Sequence, residues 1–89
     1  MRIKKGFILR EVAGSFVVVA VGEASRTFKG IIKLNESGAF LWKELEKGVN
    51  GTDELVEKLK SEYQVDDITA KEDVLTFLES VKGAKLVEE

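Results

Sequence analysis

Cysteine, histidine and proline are all absent from this chain of 89 residues. Without cysteine there is no disulfide framework, thiol nucleophile or thiolate metal site. Without histidine there is no Ser–His or Cys–His couple, no imidazole ligand and no near-neutral general base. Long apolar stretches are missing too. The longest, Phe16 to Val21, is six residues, against the roughly 20 that a membrane span requires. The start, Met1-Arg2-Ile3-Lys4-Lys5-Gly6, carries charge but leads into no apolar segment of signal-peptide length. What is present is ordinary for a soluble globule, 44% apolar and 34% charged. The size fits one small domain over residues 1–89. The expectation is a cytoplasmic, non-catalytic protein with no metal.

The net charge of −2 hides an asymmetry. Residues 1–45 hold eight cations and four anions, whereas residues 46–89 hold six cations and twelve anions. Such a division hints at an interaction surface, although long acidic helices are also simply well solvated.

The first third reads as strands. Phe7-Ile8-Leu9-Arg10-Glu11-Val12 is followed by Ala13-Gly14-Ser15 and then by Phe16-Val17-Val18-Val19-Ala20-Val21. A β-branched run disfavours helix, and a short glycine-containing link between two such runs signals a hairpin. The second strand does not alternate apolar with polar, so both its faces are covered or one is kept for a partner. The polar segment 22–30 reads as a long loop closed by Gly22 and Gly30. Ile31-Ile32-Lys33-Leu34 is a shorter third strand, with Ile32 and Leu34 on one face and Ile31 and Lys33 on the other. An antiparallel three-stranded sheet with this strand at an edge is expected.

From Asn35 the period becomes helical. Asn35 suits an N-cap and Glu36 places an anion in the first turn. Gly38, Leu41, Trp42 and Leu45 share a face, with Phe40 beside them, and Gly48 ends the helix. Thr52 is read as the cap of a second helix whose stripe is Leu55, Val56, Leu59 and Tyr63. Residues 64–68 then link to a third helix opened by the capping box Thr69-x-x-Glu72, with Ala70, Val74, Phe77, Leu78 and Val81 as its core stripe. Lys85-Leu86-Val87 reads as a short packed tail. The sum is an α+β fold, winged helix-turn-helix-like, with three antiparallel strands followed by three helices.

Most motifs have plain explanations. Asn35-Glu36-Ser37 and Asn50-Gly51-Thr52 match the glycosylation sequon, yet read better as a helix cap and a turn. No glycine-rich phosphate fingerprint occurs, and Asp66, Asp67, Glu72 and Asp73 lack calcium-loop spacing. One feature of the third helix is less plain. Leu75 lies about 120° from the centre of the core stripe, on a flank with Leu78, Lys71 and Lys82. This strip is either a stray surface leucine or the wall of a groove for an apolar side chain on a negatively charged partner.

Winged helices often bind DNA, and a nucleic-acid-binding regulator is the alternative reading. Phosphate neutralisation demands a basic recognition helix. The third helix and its tail carry Lys71, Lys82 and Lys85 against Glu72, Asp73 and Glu79, and the second helix is net acidic. Nucleic acid is therefore not the expected partner.

The run Gly6 to Val12, the valine-rich strand, the stretch Leu34-Asn35-Glu36-Ser37-Gly38-Ala39-Phe40-Leu41-Trp42, and Asp73-Val74 ahead of Phe77-Leu78 together resemble the PqqD family. These are small peptide chaperones named from pyrroloquinoline quinone biosynthesis. The resemblance implies a precursor-peptide recognition element with no cofactor and no catalytic residue. Such a domain binds the leader of a ribosomally made peptide as a strand beside the third strand, in the cleft next to the third helix. Carried onto this chain, the site is Lys29, Gly30, Ile31, Ile32, Lys33 and Leu34 with Lys71, Leu75, Leu78 and Lys82. The four lysines would favour an acidic leader. The loop at 22–30 resembles stand-alone members that serve radical S-adenosylmethionine maturases, so such an enzyme is the expected second partner. A monomer or weak homodimer is expected, because an open edge and an apolar strand can also pair two copies.

Overall fold

The computed structural model describes residues 1–88. Its elements are β1 (Arg2–Ile3), β2 (Phe7–Val12), β3 (Ser15–Ala20), a 3-10 turn (Gly22–Arg26), β4 (Ile32–Leu34), α1 (Glu36–Lys47), α2 (Thr52–Tyr63), α3 (Asp67–Gly83) and β5 (Val87–Glu88).

The hairpin is set by its turn. Ala13 and Gly14 have φ of 52° and 81°, the paired positive values of a two-residue type I′ turn whose twist suits the flanking strands. Val12 is thereby placed opposite Ser15, and the register runs back to Phe7 opposite Ala20. Strand β4 pairs on the other side of β3, with Ile32 opposite Val18 and Leu34 opposite Phe16. The sheet order is β2-β3-β4, so β4 is an edge strand as expected.

Side-chain alternation then sorts the sheet. Phe7, Leu9, Val18, Ile32 and Leu34 share the face that packs on the helices, where Leu41, Trp42, Leu45, Leu55, Leu59, Val74 and Val81 form the core. All five residues of the α3 stripe are buried. The helix starts earlier than its capping box suggested. Asp66 is the N-cap and accepts from the Thr69 N–H at 2.9 Å, which places Thr69 inside the first turn. Likewise α2 is capped at Gly51, with Thr52 as its first residue, and the Asn50 N–H is satisfied by Glu54 at 2.9 Å. Tyr63 closes the α2 stripe only in part. It is 37% exposed and meets Phe40 edge-on at 5.7 Å.

Two pairings between distant segments go beyond the sequence pattern. The segment 22–30 is tied down, because Phe28 packs edge-on against Phe7 at 5.3 Å and Ala24 lies against Gly6. A Cβ on Gly6, at φ 97°, would stand 2.7 Å from the Ala24 Cβ, so the glycine is required for both conformation and space. The tail makes a strand: β5 pairs with β1, and the Lys4 N–H donates to the Leu86 carbonyl at 2.8 Å.

Candidate functional site: an open strand edge and the cleft beside it

Which backbone groups of β4 are free follows from the phase of the ladder. In an antiparallel pair, residues that exchange both hydrogen bonds alternate with residues whose N–H and C=O point away. The Val21 N–H donates to the Gly6 carbonyl at 2.8 Å, and a two-residue turn closes on a hydrogen-bonded pair at Val12 and Ser15. Both observations fix the same phase. Ser15, Val17 and Val19 turn their backbone groups toward β2, leaving Phe16 and Val18 to bond β4. Hence Ile32 and Leu34 are engaged, while the N–H and C=O of Lys33 face outward. Continuing the ladder one residue turns those of Ile31 outward too.

Alongside this edge lies a cleft of about 200 Å³ bordered by Lys33, Leu34, Asn35, Ser37 and Gly38 on one side and Asp73, Thr76, Phe77 and Ser80 on the other. It is smaller than the roughly 300–1,000 Å³ that encloses a small-molecule ligand, and suits a single inserted side chain. Local sequence builds both walls. Asn35 ends β4 and caps α1, its Oδ1 accepting from the Gly38 N–H at 2.8 Å and the Ser37 hydroxyl at 3.1 Å. Gly38 lets the first turn of α1 approach the strand closely, since a Cβ there would sit 3.3 Å from the Leu34 Cβ. On α3, Asp73, Thr76, Phe77 and Ser80 recur at i, i+3, i+4 and i+7 and so occupy one arc of the helix.

Of the expected strand residues, Lys33 and Leu34 border this cleft; Ile32 and Leu34 are half-buried on the core face, Lys33 and Ile31 exposed, Lys29 and Gly30 exposed in the preceding loop. The expected helix residues do not border it. Lys71, Leu75, Leu78 and Lys82 sit about 150–170° around α3 from the arc that borders the cleft. Leu78 is a core residue, 4% exposed, and Leu75 is 59% exposed on the far flank. Lys71 is paired with Asp67 at 3.2 Å. The physical reason is that a helix stripe has two flanks, and β4 lies along the one carrying Asp73, Thr76 and Ser80. Those three residues are polar and so carry no apolar periodicity; the Asp73-Val74 pair is their signal in the sequence.

The electrostatics of the site are mixed. Lys33 borders one wall and the half-buried Asp73 the other, and neither belongs to an ion pair among the described residues. Several charges elsewhere are paired. Hydrogen bonds from Lys71 and Lys60 hold the Asp67 carboxyl below its ordinary value, and the bonds to Thr69 do the same for Asp66. Glu44 is 8% exposed. Burial pushes its carboxyl upward, yet hydrogen bonds from Lys47 and Lys58, each 3.1 Å away, leave it lowered. Among the described residues no acidic cluster could hold a metal ion, and no helix is long and apolar enough to cross a membrane.

The structure is thus an α+β domain of winged-helix type with an open strand edge beside a side-chain-sized cleft. Its sequence matches the family described as coenzyme PQQ synthesis protein D (PqqD) over residues 8–87, and the chain belongs to that family. No match was found among curated proteins. Two solved structures share the fold. TbiB1 in complex with the TbiA(beta) leader peptide has a TM-score of 0.72 at 24% identity, covering 99% of this chain and 95% of that one. Lasso peptide synthetase B1 complexed with the leader peptide has a TM-score of 0.69 at 18% identity, with 99% and 96% covered.

Proposed function

We propose that this protein is a non-catalytic recognition domain, acting as one unit, that binds the leader of a ribosomally made precursor peptide and presents it to a modifying enzyme. The observation that carries the reading is the outward N–H and C=O of Lys33 and Ile31 beside a cleft sized for one side chain. An extended leader adds as a strand to β4, as peptides do on open sheet edges. Up to four backbone hydrogen bonds at about 1 kcal/mol net each fall short of association costs of about 4–15 kcal/mol. Apolar anchors of about 1.5–3 kcal/mol per buried Leu- or Ile-sized side chain must add to them. The Phe77 floor and the Leu34 wall provide the apolar contact. Lys33 and Lys29 favour an acidic residue near the edge, and Asp73 accepts a hydrogen bond from the guest. The affinity expected from this balance is about −8 to −10 kcal/mol, low micromolar to high nanomolar. The resemblance of segment 22–30 to stand-alone members supports a radical S-adenosylmethionine enzyme as the recipient, in the cytoplasm.

The test is titration of a synthetic leader, taken from a short precursor encoded beside this gene, into the wild type and two proline variants. Lys33→Pro removes an outward donor and is compatible with an edge strand; it should fold normally and bind at least about tenfold more weakly. Ile32→Pro removes an inward donor and should unfold the sheet. Unchanged leader affinity in folded Lys33→Pro overturns the reading.

A further inference from the structure

The sheet has a second face. Opposite the core-facing residues, alternation places Arg10, Val17 and Lys33 in one cross-strand row and Ile8 beside Val19 in the next, with Ile31, just before β4, on the same side by continuation of the alternation. Among the described residues no element covers this face: its side chains are absent from those packed against the core. Val12, Val21 and Ile31 on it are 56%, 38% and 58% exposed. This accounts for the valine run of β3, whose Val17 and Val19 are not packed against the core. Contiguous exposed apolar surface of this kind marks an interaction site.

Charge decides the occupant. The face carries two cations, Arg10 and Lys33, and no anion. Neither cation belongs to an ion pair among the described residues. A second copy would meet the same patch in an isologous contact, which sets cations against cations. The complement is an apolar patch edged by Asp or Glu on a different protein. We infer that the outer face of the sheet, centred on Ile8, Val17 and Val19 with Arg10 at its rim, docks the modifying enzyme through such an acidic-edged apolar patch. In naming the enzyme, this rests on the leader-binding reading. A strand added at β4 would turn alternate side chains onto the same face, so enzyme and leader would meet there.

The experiment measures two affinities on the same proteins: for the purified modifying enzyme encoded beside this gene, and for the synthetic leader. The double variant Ile8→Thr/Val19→Thr keeps β-propensity and removes the apolar row; Arg10→Glu reverses the rim charge at an exposed position. Both are expected to weaken enzyme binding by about tenfold or more while leader affinity stays within about twofold. Enzyme affinity unchanged in both variants overturns the inference, and Arg10→Glu keeps this decisive should the double variant fold poorly. Sedimentation showing a wild-type dimer that the double variant dissolves also overturns it, making a second copy the occupant. A wild type that binds enzyme but no leader overturns the leader reading instead.

Discussion

The two flanks of α3 differ more than their shared helix suggests. One, Asp73, Thr76 and Ser80, is polar and short-chained, and borders a cleft against β4. The other, Lys71, Leu75 and Lys82, carries the exposed leucine and looks more like a binding surface, yet it faces away from that cleft. Small polar residues on a helix beside an open strand are what makes room for a guest. A large apolar residue there would fill the space and collapse it. On the proposed reading, conspicuous apolar character is a poor guide to where a peptide lies, and absence of bulk is the better one.

That contrast can be broken at graded cost. The largest effect is expected from Ser80→Trp, which fills the cleft from an exposed position; leader affinity should fall about 100-fold with the melting temperature little changed. Asp73→Asn keeps shape but removes the anion, so binding should weaken about three- to tenfold, as for loss of a charge-assisted hydrogen bond. On the far flank, Leu75→Glu should leave leader affinity within about twofold and stability within about 0.5 kcal/mol; a lost affinity there would return the site to that flank. Lys71→Glu should leave leader binding and its salt dependence unchanged, with a small fall in melting temperature from the broken Asp67 pair. The smallest effect concerns pH. Asp66, Asp67 and Glu44 are all lowered in the folded state. Their contribution is therefore present above the unfolded carboxylate value and lost as pH falls through the folded one. Thermal melts between pH 7 and pH 3 should show this loss, and Glu44→Gln should flatten it.

Most of the fold was legible because its signals are local. The Ala13-Gly14 turn, the Asn35 cap and the 70–81 stripe each act over a few residues, and all appear in the structure. Pairings between distant segments were not legible. Strands β1 and β5 are two residues each, too short for any periodicity, and Phe28 on Phe7 is a contact without a pattern. The cleft proposed as the site was half legible for the same reason. Strand alternation fixed which side chains of Ile31 to Leu34 face out, whereas a helical wheel is symmetric about its stripe. Only the packing of α3 against the sheet decides which flank borders β4.

The brevity of β4 has a consequence for what a bound chain could do. A ladder repeats every two residues, and a three-residue edge has little means of telling one alignment from the next. The reading frame of a guest would be chosen by whichever residue drops into the hollow next to Phe77. Shifting that anchor by two positions along the guest would carry everything downstream about 7 Å past the domain, moving a different residue to the catalyst without altering any contact made by the backbone.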